Sequence, residues 1–201
     1  FAAPDPVPVM EMMRDGGILR RVLPEAVLIE RFMSLVRLEA ALDLADPLRR
    51  LGALMPDGAA GLGERLRLPK RDQLRLAEMI APREDIEPAR DGNAFGRRLR
   101  AIAYGIGRQS FMDHLLLNWA GRGGNARDKR WRALRKAADD WVQPGFPLKG
   151  RDALAAGVEA GPAVGDVLAE LEFWWAARDF KADRPALLAR LERLLAGERR
   201  D

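Results

Sequence analysis

Cysteine is absent from the sequence, and histidine occurs once, at His114. The first absence excludes disulfides, thiolate zinc sites and cysteine nucleophiles, and it fits a reducing compartment. The second excludes a metal centre built from histidines. Ser34 and Ser110 are the only serines. With no second histidine to activate either one, no nucleophilic triad can be assembled. No apolar run is long enough to cross a bilayer, and no charged-then-apolar leader opens the chain. We therefore expect no membrane partner and a cytoplasmic setting. Almost no stretch alternates at period two, and no repeat of solenoid length is visible.

What is present points to helices. The 201 residues are 48% hydrophobic and 32% charged, enough for one large domain or two small ones with a real core. Lys plus Arg number 34 against 30 for Asp plus Glu, a net charge of +4. The basic residues are mostly arginine, whose planar fork suits phosphate. That balance allows a polyanionic partner without demanding one. The start at Phe1-Ala-Ala-Pro leads us to expect a segment of a longer polypeptide.

Helical spacing recurs along the chain, and the fold class expected is all-α, with about ten or eleven helices in an elongated array. Asp5 caps a short helix through Arg14, with an apolar stripe at Val9, Met10 and Met13. Pro24 begins a long helix to about Leu42. Asp46-Pro47 opens the next, and shorter helices follow over about Ala59–Leu66 and Gln73–Ile80. Ala81–Gly92, rich in charge and holding Pro82 and Pro88, reads as exposed linker. Phe95, Leu99, Ile102 and Ala103 share a helix face before a break at Gly105-Ile-Gly107. Phe111, Leu115, Leu116 and Trp119 form another, stopped by Gly121, Gly123 and Gly124. Asn125 then caps a helix whose buried stripe is Trp131, Leu134, Ala138 and Trp141, with Lys129, Arg132 and Lys136 opposite. The tryptophans read as core. Gln143–Pro147 is the clearest joint, dividing 1–142 from 143–201. Asp183-Arg-Pro185 opens a last helix.

After the joint, a short helix ends at Gly157 and a second begins at Pro162, preceded by Gly161. Lys149 and Arg151 stand at the entrance to this hairpin. Free amides at the second helix start, together with Gly157, Gly161 and Gly165, suit either a grip on one backbone phosphate or a capped turn that only packs. Other constellations carry less. Glu84-Asp85 lies in a charged, Pro-rich stretch and reads as solvated loop. Asp113-His114 has the wrong order and too few histidines for a helical His-Asp phosphohydrolase. Gly121-Arg-Gly-Gly124 lacks the Lys-Ser/Thr ending of a phosphate loop and reads as a turn. The basic set Arg97, Arg98, Arg100, Arg108, Arg122, Arg127, Lys129, Arg130, Arg132, Arg135 and Lys136 is unbalanced by acids until Asp139. It is either a solvated helix face or a track for phosphates.

Four segments occur in a familiar order. Met13-Arg-Asp-Gly-Gly-Ile-Leu-Arg-Arg-Val-Leu-Pro-Glu25, Asp46-Pro-Leu-Arg-Arg-Leu-Gly-Ala-Leu54, Arg65-Leu-Arg-Leu-Pro69 and the hairpin from Pro147 to Leu168 resemble motifs of class II tRNA nucleotidyltransferases. These are the CCA-adding enzymes and their poly(A) polymerase relatives. Pro69 stands in the place of a serine, and Ala160 in that of a proline. The resemblance covers nearly the whole chain and implies the helical neck, body and tail that hold the upper half of tRNA. The family's nucleotide loop, Asp-x-Asp metal pair and nucleotide-reading helix match nothing here. The resemblance thus implies no catalytic or metal residue and no cofactor in this chain. Magnesium and ATP or CTP are expected on the parent enzyme's N-terminal catalytic domain, which would be a partner alongside tRNA. The RNA-binding residues expected are Arg97, Arg98, Arg100, Arg108, Arg127, Lys129, Arg132, Lys136, Lys149, Arg151 and Gly161. A helical protein-interaction scaffold with a non-specific basic face is the alternative.

Overall fold

The computed structural model describes residues 1–58, 61–82, 85–89 and 93–197. Among them are eleven α-helices and no strand, so the protein is all-α. The order is α1 (Val7–Asp15), α2 (Ile18–Val22), α3 (Ile29–Leu42), α4 (Pro47–Leu54), α5 (Leu62–Arg65) and α6 (Lys70–Met79). Then come α7 (Arg97–Gly121), α8 (Lys129–Asp140), α9 (Gly150–Ala155), α10 (Pro162–Ala177) and α11 (Arg184–Leu195). No described helix is long and apolar enough to cross a membrane.

Several expected boundaries move, for local reasons. The helix expected from Pro24 starts only at Ile29. Before it, the amides of Val27 and Leu28 both donate to the carbonyl of Leu54, the last residue of α4, at 3.0 Å. That tertiary bond keeps the segment out of the helix. Conversely, Ile18–Val22 forms a helical turn of its own behind Gly17, which takes a left-handed φ of 69°. In α1 only Met10 of the expected stripe is buried; Val9 is 57% exposed. Ala59 and Ala60 lie outside the described residues, as do Arg83, Glu84 and 90–92. The described part of the expected linker is not simply exposed, because Ile86 is 1% exposed and Pro88 is buried.

The chain forms two compact units. The first comprises 1–94 and 106–139, the second 95–105 and 140–201. The expected division at 142/143 left residues 95–105 with the first part, whereas they belong to the second unit. α7 runs through both, and it is not one continuous helix. Gly107 has φ 79° and ψ 160°, a conformation in which a side chain would be strained. The break lies two residues from the boundary between units, within the expected Gly105-Ile-Gly107 interruption.

In the first unit α3 packs on α4, α4 on α6, and α5 on α6. Phe32, Leu35, Leu38, Leu54, Met55, Leu76, Phe111, Leu115, Leu116 and Trp119 are almost completely buried. In the second unit α10 packs on α9 and α11 around Leu148, Leu171, Trp175, Leu187 and Leu191. Tyr104 and Phe180 stack at the edge of Trp175, with ring centroids 5.9 and 5.0 Å from it. Burial and a hydrogen bond to the Glu172 carboxylate both push the Tyr104 hydroxyl pKa upward.

Candidate nucleic-acid interface

α8 owes its orientation to three features of its own sequence and its approach. Gly123 and Gly124 take φ values of 94° and 60° and turn the chain after α7. A β-carbon at Gly124 would stand 2.8 Å from the Ser34 carbonyl oxygen, so the turn presses against the α3 backbone. Asp128, not the expected Asn125, then caps α8. Its Oδ1 accepts from the amides of Arg130 (2.8 Å) and Trp131 (3.3 Å). The Asn125 carboxamide oxygen accepts from the Arg127 amide one step earlier, at 3.0 Å. Thirdly, Trp131, Leu134 and Ala138 are buried. Trp131 stacks nearly parallel on Trp119, with centroids 5.7 Å apart and planes 9° apart. The Trp119 indole N–H donates to the Asn125 carbonyl at 3.2 Å. Both rings are core.

Burying that stripe turns Lys129, Arg132 and Lys136 to solvent, since positions three and four apart share a face. Arg127 is exposed just before the helix. Arg127, Lys129 and Arg132 make no ion pair with another described residue. The rest of the basic set in this unit is engaged internally. Arg108 and Arg135 both reach Asp139, at 3.1 and 2.9 Å. Arg122 pairs with Asp85 (2.9 Å) and Glu87 (3.2 Å), and Arg130 donates to the Pro88 carbonyl at 2.8 Å. The last two arginines tie the 85–88 segment to the turn after α7 and to the first turn of α8.

Arg97, Arg98, Arg100, Lys149, Arg151 and Gly161 belong to the second unit. The basic run read as one track over 97–136 therefore divides between two units. Arg97 and Arg98 are exposed. Arg100 is half-buried and held by Asp179 at 2.7 Å and by the Phe95 carbonyl at 2.6 Å. Lys149 and Arg151 are exposed beside the start of α9. Gly161 takes φ 130° and ψ −153°, beyond the reach of other residues, and Pro162 follows as the first residue of α10. Yet Pro162 has no N–H, and the Val164 amide returns to the Gly161 carbonyl at 3.2 Å. The turn offers fewer amides to an anion than its glycines suggest.

The composition hides a second ionic arrangement. Inside the first unit Arg49 reaches Glu39 (2.8 Å) and Asp113 (2.9 Å), and Arg50 reaches Glu39 (2.8 Å). Arg75 grips both Asp113 (2.8 Å) and Asp46 (2.6 Å). Glu39 and Asp113 are wholly buried, and Arg50 nearly so. Three guanidiniums thus face three carboxylates. Arg50 also donates to the carbonyls of Phe1 and Ala3, at 2.8 and 2.7 Å. Burial raises the Glu39 pKa against the opposing pull of Arg50 and Arg49. For Asp46, burial is outweighed by the Arg49 amide and by Arg75, and its pKa falls. The hydrogen bonds that Arg75 donates to Asp113 and Asp46 raise its own pKa. The available signal was acids and arginines set among apolar positions of α3, α4 and α7. His114, beside Asp113, is buried with its Nε2 2.9 Å from the Glu78 carbonyl oxygen.

This donor set does not fit a catalytic metal. Each carboxylate is already matched by arginine, and no group of three or more potential ligands occurs among the described residues. What the surface can do chemically is present fixed positive charge on a rigid helix. No family model matches the chain. An uncharacterized 28 kDa protein in the petA 5′ region of Rhodospirillum rubrum is 44% identical over 82 residues. That match takes in 38% of this chain and 32% of the relative, about a third of its length.

Proposed function

We propose that this chain is the tRNA-binding helical portion of a tRNA nucleotidyltransferase, working in the cytoplasm with a separate catalytic domain that adds nucleotides to the tRNA 3′ end. The ordered likeness of its four segments to that family supports the reading. The observation that carries it is α8: one face is locked into the core by Trp131, Leu134 and Ala138, and the other presents Lys129 and Arg132, exposed and in no ion pair with a described acid. A rigid row of unneutralised cations is the arrangement that tracks phosphates, with shape and backbone read in place of sequence. In the second unit, Lys149 and Arg151 supply a separate backbone contact. Arg100 and Arg108, engaged with Asp179 and Asp139, contribute less than the sequence alone suggests. Magnesium and a nucleoside triphosphate are held by the catalytic domain, and no step of nucleotide addition runs through these residues.

Filter binding of tRNA, duplex DNA and heparin at two salt concentrations tests the reading. Preference for tRNA at physiological salt supports it. Equal, weak binding of all three points to bare electrostatics and overturns it. No binding to any of them leaves a helical interaction scaffold as the better description.

A further inference from the structure

In the second unit one carboxylate holds together the segment that carries Lys149 and Arg151. Asp152 is almost fully buried. It accepts from the Lys149 amide at 2.7 Å and from two nitrogens of Arg184, at 2.6 and 3.0 Å. Its own amide donates to the Lys149 carbonyl at 2.8 Å. Arg184, the first residue of α11, donates in addition to the Pro147 carbonyl at 3.1 Å. A single ion pair therefore fixes the chain before Lys149, the turn at Lys149 and the start of α9 against α11. Ala153, next to Asp152, is wholly buried and seats α9 in the same place. The two outward cations precede the carboxylate by three residues and by one, so their backbone positions follow from it.

We propose that Asp152 and Arg184 are positioning residues for RNA, setting the spacing at which Lys149 and Arg151 meet two backbone phosphates. The inference rests on the RNA-binding reading above and extends it to residues that touch no RNA. A fixed pair of cations binds with less loss of conformational freedom than the same two side chains on a loose loop. Removing the clamp therefore costs affinity even though no charge facing the RNA is lost.

The experiment uses the whole chain in three forms: Asp152→Asn, Lys149→Ala/Arg151→Ala, and all three changes together. Arg184→Gln serves as the second route to the same loss, since Arg184 is half exposed and less apt to compromise folding. tRNA affinity, thermal midpoint and hydrogen exchange of the Lys149 amide are measured for each. We expect Asp152→Asn and Arg184→Gln to speed Lys149 exchange and to weaken tRNA binding roughly threefold to tenfold. Added to Lys149→Ala/Arg151→Ala, Asp152→Asn is expected to cost little more, because the cations it positions are gone. A lower thermal midpoint with unchanged affinity in both clamp variants overturns the positioning role while leaving the RNA reading intact. Unchanged affinity in Lys149→Ala/Arg151→Ala overturns both at this turn. A full multiplicative loss in the combined variant also overturns it.

Discussion

Arginine has two fates in the first unit, and the difference between α4 and α8 shows what decides between them. On α4, Arg49 and Arg50 point inward, are 7% and 1% exposed, and meet Glu39 and Asp113. On α8, Arg132 and Lys129 point outward and meet no described acid. Both helices are short and strongly basic, and composition does not separate them. The partner does. α4 lies against α3 and α6, which bring Glu39 and Arg75 to its buried side, with Asp113 from α7. α8 buries tryptophan and leucine, and its cations are left over. Buried arginines of this kind hold the fold; exposure alone does not free the others, since Arg108 and Arg122 still pair with acids.

The largest test of that contrast is to break the inner set. Asp113→Ala removes the fully buried carboxylate that Arg49 and Arg75 share, leaving only the half-buried Asp46 between them. Loss of one member of a buried ion network costs about 3–5 kcal/mol, and chemical denaturation should show it, with RNA affinity of the remaining folded fraction unchanged. Gly124→Ala comes next. Its φ of 60° and the 2.8 Å approach to the Ser34 carbonyl must both be relieved, at about 1–3 kcal/mol. Because the turn sets the pose of α8, this variant should also weaken RNA binding. A stability loss with full binding would separate the pose of α8 from its function.

Acid sharpens the comparison further, since Asp152 and Glu39 respond with opposite sign. Asp152 is held down to about 2 by the Arg184 guanidinium and the Lys149 amide. Its stabilisation is present above the ordinary aspartate pKa near 4 and is lost as pH falls through about 2. Glu39 is raised by burial. Protonation is less unfavourable there than in the unfolded chain, so this contribution is complete below the ordinary glutamate value and falls away as pH rises through the folded one. Acid titration of unfolding should therefore show a shallower loss in Asp152→Asn than in the parent chain. Glu39→Gln should remove a term of the other sign, though it also disturbs Arg49 and Arg50. The smallest effect on stability is expected for Lys129→Ala with Arg132→Ala, within about 0.5 kcal/mol, as for exposed positions generally.

These particulars also show what the chain reveals unaided. Periodicity finds nearly every helix, because Trp131, Leu134 and Ala138, or Leu187 and Leu191, bury at the spacing helices impose. Caps that depend on one side chain and the next few amides, such as Asp183 before α11, are equally legible. Features made by distant residues are not. The start of α3 at Ile29 depends on the carbonyl of Leu54. The inward turn of Arg49 depends on Asp113, 64 positions away. The split of the basic run depends on which unit residues 95–105 join. For the same reason, sequence marked all the exposed cations of α8 but could not tell that Arg108, Arg122, Arg130 and Arg135 already hold partners.

The outward cations of α8 either neutralise RNA phosphates or stay solvated. tRNA binding by the 201-residue chain, followed across a salt series for the parent and for Lys129→Ala/Arg132→Ala, measures this directly. We predict weaker binding and a slope of log affinity against log salt reduced by roughly 1.5, the release expected for two phosphate contacts. An unchanged affinity and an unchanged slope would contradict it.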